Sequence, residues 1–238
     1  MAHRMTSLMA SLMASLIASR MTSLMTSLMA SLMATLMASL MASLMATLIA
    51  QPSDVSECAR RYMLWRRGGA GKGFGFTLRH GDHDFETHRF YHRAPPECFH
   101  PYYGPRDDGD LFCSDNIRAL ADLVRRQTQG QMLHVMMADG GFDVSGLENI
   151  QEVMNKQLLL AQIVAALATL RVGGHFVVKC FDLFTPFSAG LLYLLHRAFD
   201  AICLYKPAQS RPANSERYII CAGLRAGVEP LVEHLLEV

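Results

Sequence analysis

The chain has 238 residues, a formal net charge of +1 and six cysteines. So even a charge balance does not advertise nucleic-acid binding, although Arg60, Arg61, Arg66, Arg67, Lys72 and Arg79, and later Lys206, Arg211 and Arg217, can meet phosphates locally. Cys58, Cys98, Cys113, Cys180, Cys203 and Cys221 are scattered without paired spacing, which excludes a disulfide framework and reads as reduced thiols of an intracellular protein.

From Met5 to Ala50 the sequence repeats Met-Ala/Thr-Ser/Thr-Leu, broken only by Ile17, Arg20 and Ile49. On a helix a period of four drifts by about 40° per repeat, so the Met/Leu stripe defines no lasting face and makes a poor coiled coil. Met21 to Ala50 carries no charge and is long enough to span a bilayer. Against a membrane anchor, every fourth residue is Ser or Thr and no aromatic belt flanks the run. It is too long for a signal peptide, and Arg4 and Arg20 are too few for a transit peptide. Residues 1–50 therefore read as a low-complexity expansion outside the folded domain, whose removal leaves soluble yield intact. Ala, Ser and Met are weak strand formers, so the repeat is not expected in a sheet.

About 180 residues of mixed composition remain, enough for one core. The pattern predicts the end of a helix over Glu57 to Arg67, a turn at Gly68 to Gly71 and a strand over Lys72 to Leu78, followed by a loop from His80 to Asp110. Ser114 is placed to cap a helix over Asp115 to Gln127, with Ile117, Leu120, Ala121 and Val124 at helical spacing. A strand over Met132 to Ala138 and a helix from Leu147 to Leu170 follow, the helix ending at Gly173-Gly174. Next come a strand over His175 to Phe181 and a helix capped by Thr185-Pro186 that runs to Phe199. Strands over Ala201 to Tyr205 and Glu216 to Cys221, and a last helix over Pro230 to Leu236, complete a largely parallel sheet covered on both faces.

Three charged residues stand where such a sheet presents its ligands. Asp139 follows the apolar run Leu133 to Met137, Lys179 follows His175-Phe176-Val177-Val178, and Glu216 opens Tyr218 to Cys221. Lysine is costly in a buried strand unless it is paired or functional, and the chain has only four lysines. Bland readings exist for each: a turn aspartate before Gly140-Gly141, a snorkelling lysine, and a surface glutamate paired with Arg211 or Arg217. Gly69-Ala70-Gly71-Lys72-Gly73 is not a phosphate-binding loop, because Gly73 replaces the required Ser or Thr. His80, His83, His88 and His92 with Asp82 and Asp84 hint at a metal, but without a cysteine pair they read as a polar loop, and no metal is expected.

These motifs in this order resemble the FtsJ/RrmJ-type ribose 2'-O-methyltransferases, and most closely the eukaryotic cap-specific mRNA (nucleoside-2'-O-)-methyltransferases. The likeness runs from about Arg61 to about Leu224. It is carried by Lys72-Gly73-Phe74-Gly75-Phe76-Thr77-Leu78, Met137-Ala138-Asp139-Gly140-Gly141-Phe142, Gln157 to Leu160, Gly173 to Phe176, Phe181 to Ser188, and Lys206-Pro207 through Tyr218. The resemblance implies a Rossmann-like α/β fold that uses S-adenosylmethionine to methylate capped mRNA, with Asp139, Lys179 and Glu216 catalytic. It further implies that Asp110 and Leu111 meet the adenosine end of the cofactor, and that Asn149, Ile150, Gln151 and Asn214 touch the RNA. Tyr102 and Tyr103 are read as packing. By the same likeness the protein is expected in the nucleus, with the cytoplasm as a second compartment and transcription or capping machinery as partners.

The family opens this domain with a helix bearing a first catalytic lysine, then a strand and a loop of the type Cys-Ala-Gly-Pro-Gly-Gly-Phe-Ser-Glu. No lysine stands upstream of Lys72, and the first strand and the loop are read as missing, so the domain is taken as a truncated 57–238 with weak cofactor binding and little turnover. Two other readings follow: a catalytically inactive RNA-binding remnant, and a form tethered to a membrane through Met21 to Ala50.

Overall fold

A computed structural model of the chain describes residues 71–79, 84–85, 98–142, 150–207, 210 and 213–237, and the backbone of 46–50. The strands are β1 (Ala46–Ala50), β2 (Lys72–Phe76), β3 (Phe99–Tyr102), β4 (Leu133–Ala138), β5 (Leu170–Cys180), β6 (Phe199–Tyr205) and β7 (Arg217–Leu224). The helices are α1 (Ser114–Gln127), α2 (Gln151–Thr169), α3 (Pro186–Ala198) and α4 (Glu229–Glu237). One seven-stranded sheet forms in the order β3-β2-β1-β4-β5-β7-β6. Strands β1 to β5 are parallel, and β7 runs antiparallel to both β5 and β6.

Burial explains the order. β4 and the inner part of β5 are apolar and buried, as central parallel strands covered on both faces must be. α2 is buried nearly all round, through Leu158, Leu159, Ile163, Val164 and Leu167, because it packs against β5 and against the other three helices. α1 is amphipathic instead and buries Ile117, Leu120, Ala121 and Val124 at the spacing its sequence gives. Thr185 caps α3, its hydroxyl oxygen accepting from the Ser188 N–H at 3.2 Å, with Pro186 at the first helical position.

Several expectations change. The repeat was expected outside the domain, yet its tail, Ala46-Thr47-Leu48-Ile49-Ala50, is the middle strand. It pairs with β2 from Ala46↔Lys72 to Ala50↔Phe76 and with β4 from Thr47↔Val135 to Ala50↔Ala138. Thr47 and Ile49 are β-branched and suit a strand, and neighbours on both sides supply the pairing that propensity alone does not. The first strand is therefore present, and the domain begins before Ala46 rather than at 57. Its tail is also unavailable to a membrane span, and among the described residues no helix is long and apolar enough to cross a bilayer. The loop expected over His80 to Asp110 contains β3, a short edge strand that tolerates Pro101 because its outer side is unpaired among the described residues. Ser114 opens α1 but does not cap it, since Cys113 holds the cap position. α2 ends at Thr169, and Gly173-Gly174 lie within β5, where its register with β4 shifts.

Candidate active site

The strand order reverses between β1 and β4, and in open α/β sheets ligands sit there, beyond the carboxyl ends of the strands. Asp139 follows β4 directly, and Lys179 is the penultimate residue of β5. Because Ala138 pairs with Val178, the parallel register carries Asp139 to the level of Lys179. β7 runs the other way, so its beginning, with Glu216 just before it, reaches the same rim. Tyr218 pairs directly with Lys179, which puts their side chains on one face.

Two donors converge on one carboxylate. The Lys179 ammonium lies 3.1 Å from Asp139 Oδ1, and the Tyr218 hydroxyl donates to the same oxygen at 3.1 Å. Asp139 is 8% exposed and Lys179 17%, so this ion pair is largely shielded from solvent. Burial, together with the nearby charges of Asp139 and Glu216, pushes the Tyr218 phenol well above its usual range and keeps it a donor. Glu216 thus meets the cluster through Tyr218. Its backbone carbonyl accepts from the Lys206 ammonium at 3.1 Å, and Arg217 pairs with Asp182 at 2.9 Å.

The backbone after β4 is held by α2. Gly140 N–H donates to Gln162 Oε1 at 3.1 Å, and Phe142 N–H donates to Asn155 Oδ1 at 2.9 Å. Both amides turn their nitrogens to carbonyls one turn earlier in the helix, so neither is left unsatisfied. A Cβ on Gly141 would stand 3.3 Å from Lys179 Cε, so this glycine leaves room for the lysine. Glu152, on the first turn of α2, accepts from Thr185 N–H at 2.8 Å, Thr185 Oγ1 at 2.7 Å and Phe184 N–H at 3.2 Å. Burial would raise its carboxyl pKa, but the hydrogen bonds from Ser188, Thr185 and Phe184 outweigh that and hold it below the usual range.

On the other side of Asp139, the loop after β3 is pressed against the end of β2. Gly109 has φ +70°, and a Cβ there would strike the Thr77 carbonyl oxygen. Asp110 Oδ1 accepts from Phe112 N–H at 2.9 Å, while its other carboxylate oxygen has no partner among the described residues. Leu111 packs on the main core. The Phe112 and Phe142 rings face each other across the rim with centroids 6.4 Å apart. A larger cavity, about 430 Å³, opens at the opposite end of the sheet between α1 and α4. Its charged walls are largely spent on ion pairs such as Arg118–Glu233, so the rim is where the chemistry gathers.

The residues read as touching RNA divide. Gln151 Oε1 accepts from Ser215 Oγ at 3.0 Å, Asn214 offers its backbone and side-chain oxygens to Lys206 at 2.8 and 2.7 Å, and Ile150 is exposed. Asn149 lies outside the described residues, as do Arg60, Arg61, Arg66, Arg67, Arg211, Cys58 and the histidines His80, His83, His88 and His92. Of the basic residues considered for phosphates, Lys72 caps the end of α1 through Gln127 O at 3.0 Å and Lys206 is saturated by three acceptors. Arg79 pairs with Asp107 and lies over the Tyr103 ring. Tyr103 does more than pack, since its hydroxyl donates to Asp84 at 2.7 Å. Sequence reasoning missed Tyr218, Asn155, Gln162 and Glu152. The signals were there: Tyr218 is two residues from Glu216, and Asn155 and Gln162 are amides seven apart on a largely apolar helix.

A model of the FtsJ-like methyltransferase family matches residues 45–224. The chain belongs to the FtsJ-like methyltransferase family. Cap-specific mRNA (nucleoside-2'-O-)-methyltransferase 1 of Bos taurus is 50% identical over 192 residues, which cover 79% of this chain and 22% of the relative. The protein of that name from Homo sapiens is 49% identical over the same shares, and that from Drosophila melanogaster 48% identical over 76% and 22%. The chain thus spans about a fifth of the length of the relatives it matches. Among solved structures, one described as a ribosomal RNA methyltransferase from Plasmodium falciparum superposes with a TM-score of 0.51 at 16% identity, over 75% of this chain and 86% of that one, a likeness of fold.

The match beginning at residue 45 takes in the stretch after β1, where the family carries its glycine-rich loop. Counted from the end of β1, Ala50, Pro52, Ser56 and Glu57 coincide with the Ala, Pro, Ser and Glu of the FtsJ-like loop. Gln51, Ser53 and Asp54 stand where it has glycines, and Val55 where it has Phe. On that count the loop's place is filled by other residues; 51–57 lie outside those described.

Proposed function

We propose that this domain transfers a methyl group from S-adenosylmethionine to the 2'-hydroxyl of a ribose in capped mRNA. The observation that carries the reading is the Lys179–Asp139 pair at the switch-point rim, in a chain that is 50% identical over 192 residues to a relative named for that reaction. The rim suits the adenosine half of the cofactor, with an open carboxylate oxygen on Asp110 able to accept from an amine or hydroxyl and two exposed aromatic rings beside it. The cofactor supplies an electrophilic methyl on a sulfonium. A ribose hydroxyl is a weak nucleophile, so Lys179 Nζ serves to orient it and, once the ammonium has given up a proton of its own, to take the hydroxyl proton as the oxygen attacks the methyl. Asp139 fixes the ammonium, Tyr218 fixes Asp139, and Glu216 acts through Tyr218. The RNA contacts in this reading are Asn149, Ile150, Gln151 and Asn214, the site of action is the nucleus, and the partners are transcription or capping machinery.

A second reading is favoured by one observation: the three glycine positions carry Gln51, Ser53 and Asp54, and no lysine precedes Lys72. The chain then binds RNA without transferring methyl groups. Calorimetry with S-adenosylmethionine separates the two, since only the first reading requires cofactor binding.

A further inference from the structure

Exposed apolar surface is concentrated in this molecule. Of the large apolar side chains left exposed among the described residues, all but Val172 and Tyr193 lie at the carboxyl rim or on helix turns that begin there. They flank the Asp139–Lys179 pair. On one side Phe112 and Phe142 cover each other. On the other, Phe184 is 85% exposed and has no ring partner among the described residues, and Phe187 is exposed beside it.

Phe184 is held out to solvent on a fixed support. Its own N–H and the N–H and hydroxyl of Thr185 are all bound by the Glu152 carboxylate, and Glu152 lines the same small cavity as Gly140 and Lys179. A ring mounted on an ordered backbone loses little freedom when a flat ligand covers it. The Lys156 ammonium lies 5.9 Å from the Phe187 ring centroid and brings a cation to the patch. The nearby Asp182 carboxylate is neutralised by Arg217 at 2.9 Å and so does not repel phosphate.

We propose that Phe184 and Phe187 form a nucleobase-stacking platform for the RNA strand that carries the target ribose, a proposal that rests on RNA being the methyl acceptor. Every nucleobase presents a π-face, so such a platform is tolerant of sequence and holds the strand in register beside the reacting hydroxyl. Phe184 is five residues from Lys179, at most about 18 Å along an extended chain, so the stacked base belongs to a nucleotide close to the target.

The test uses the full chain and short single-stranded oligoribonucleotides, capped and uncapped. Phe184→Ala should weaken RNA binding roughly 5- to 100-fold, Phe184→Leu should recover little, and Phe184→Trp should keep affinity. None should alter the affinity for S-adenosylhomocysteine. In a Trp65→Phe background, the indole of the Phe184→Trp variant should be quenched by RNA. Loss of affinity for both RNAs supports stacking of a transcribed base, and loss confined to capped RNA supports stacking of the cap guanine. Unchanged affinity in Phe184→Ala with no quenching overturns the platform and leaves the patch to a protein partner. The two readings fail separately: methyl transfer to RNA with Phe184→Ala binding normally sinks the platform alone, and quenching without any methyl transfer sinks the enzymatic reading alone.

Discussion

Removing residues 1–50 should unfold the domain, whereas removing Met1–Ala42 should not. The boundary is structural, since Ser43–Val238 forms one compact unit and β1 begins at Ala46. β1 makes five register pairs with β2 and four with β4. At about 1 kcal/mol net per ladder hydrogen bond, losing both ladders costs roughly 5–10 kcal/mol before any side chain is considered. That matches the whole stability of an ordinary domain, about 5–15 kcal/mol. The deletion would also split the sheet into β3-β2 and β4-β5-β7-β6, each with a newly unpaired inner edge prone to aggregation. A milder perturbation reads the same interaction: Leu48→Pro removes one donor from the middle of the strand, leaves its acceptor unsatisfied and should cost about 1–3 kcal/mol. Circular dichroism and urea denaturation of the three variants measure this. A cooperative transition at the wild-type midpoint after deletion of residues 1–50 would refute the pairing of β1.

Further outcomes follow from the same geometry. Lys179→Met should lower methyl transfer by about 100-fold or more in single-turnover assays while keeping the far-ultraviolet spectrum, because the ammonium serves the rim and not the core. Tyr218→Phe should reduce the rate and cost about 1–2 kcal/mol in denaturant melts, since Asp139 loses the phenolic donor; an unchanged rate would remove Tyr218 from the site. Burial pushes Cys180 from its ordinary 9.0 up to about 12, and burial with the Asp84 bond pushes Tyr103 from 10.0 up to about 12. The folded state keeps these protons where the unfolded chain releases them, so this stability is complete below about pH 9 and is lost as pH rises toward 12. Denaturation midpoints from pH 8 to 11 should fall, and less steeply in Cys180→Ala. The triple change Gln51→Gly, Ser53→Gly and Asp54→Gly should tighten S-adenosylmethionine binding by about tenfold in calorimetry, because glycines admit a close backbone approach to the ligand.

Much of the rim was legible because period and punctuation agree there. Apolar runs ending in Asp139 and Lys179, and the Thr185-Pro186 cap, are local signals that tertiary structure does not override. β1 was not legible: the two β-branched residues of Met-Ala-Thr-Leu-Ile-Ala are outnumbered by helix formers, and it is the place between β2 and β4 that selects a strand. β3 was hidden by Pro101 and His100 in a strand too short to alternate. Tyr218 was passed over because its role comes from its position opposite Lys179, a cross-strand fact that linear spacing does not hold. Lys72 and Lys206 looked like phosphate ligands by charge alone, and their engagement by backbone carbonyls emerges only when the chain is folded.

The central claim is that the Lys179–Asp139 centre delivers a methyl group to a ribose oxygen. It is tested most directly by incubating the full chain with tritiated S-adenosylmethionine and cap-0 RNA, then locating the label by nuclease digestion. Label confined to a ribose 2'-oxygen, abolished in Lys179→Ala and increased in the glycine-restored variant, is the predicted result. Label on a base, or incorporation equal in wild type and Lys179→Ala, would contradict it.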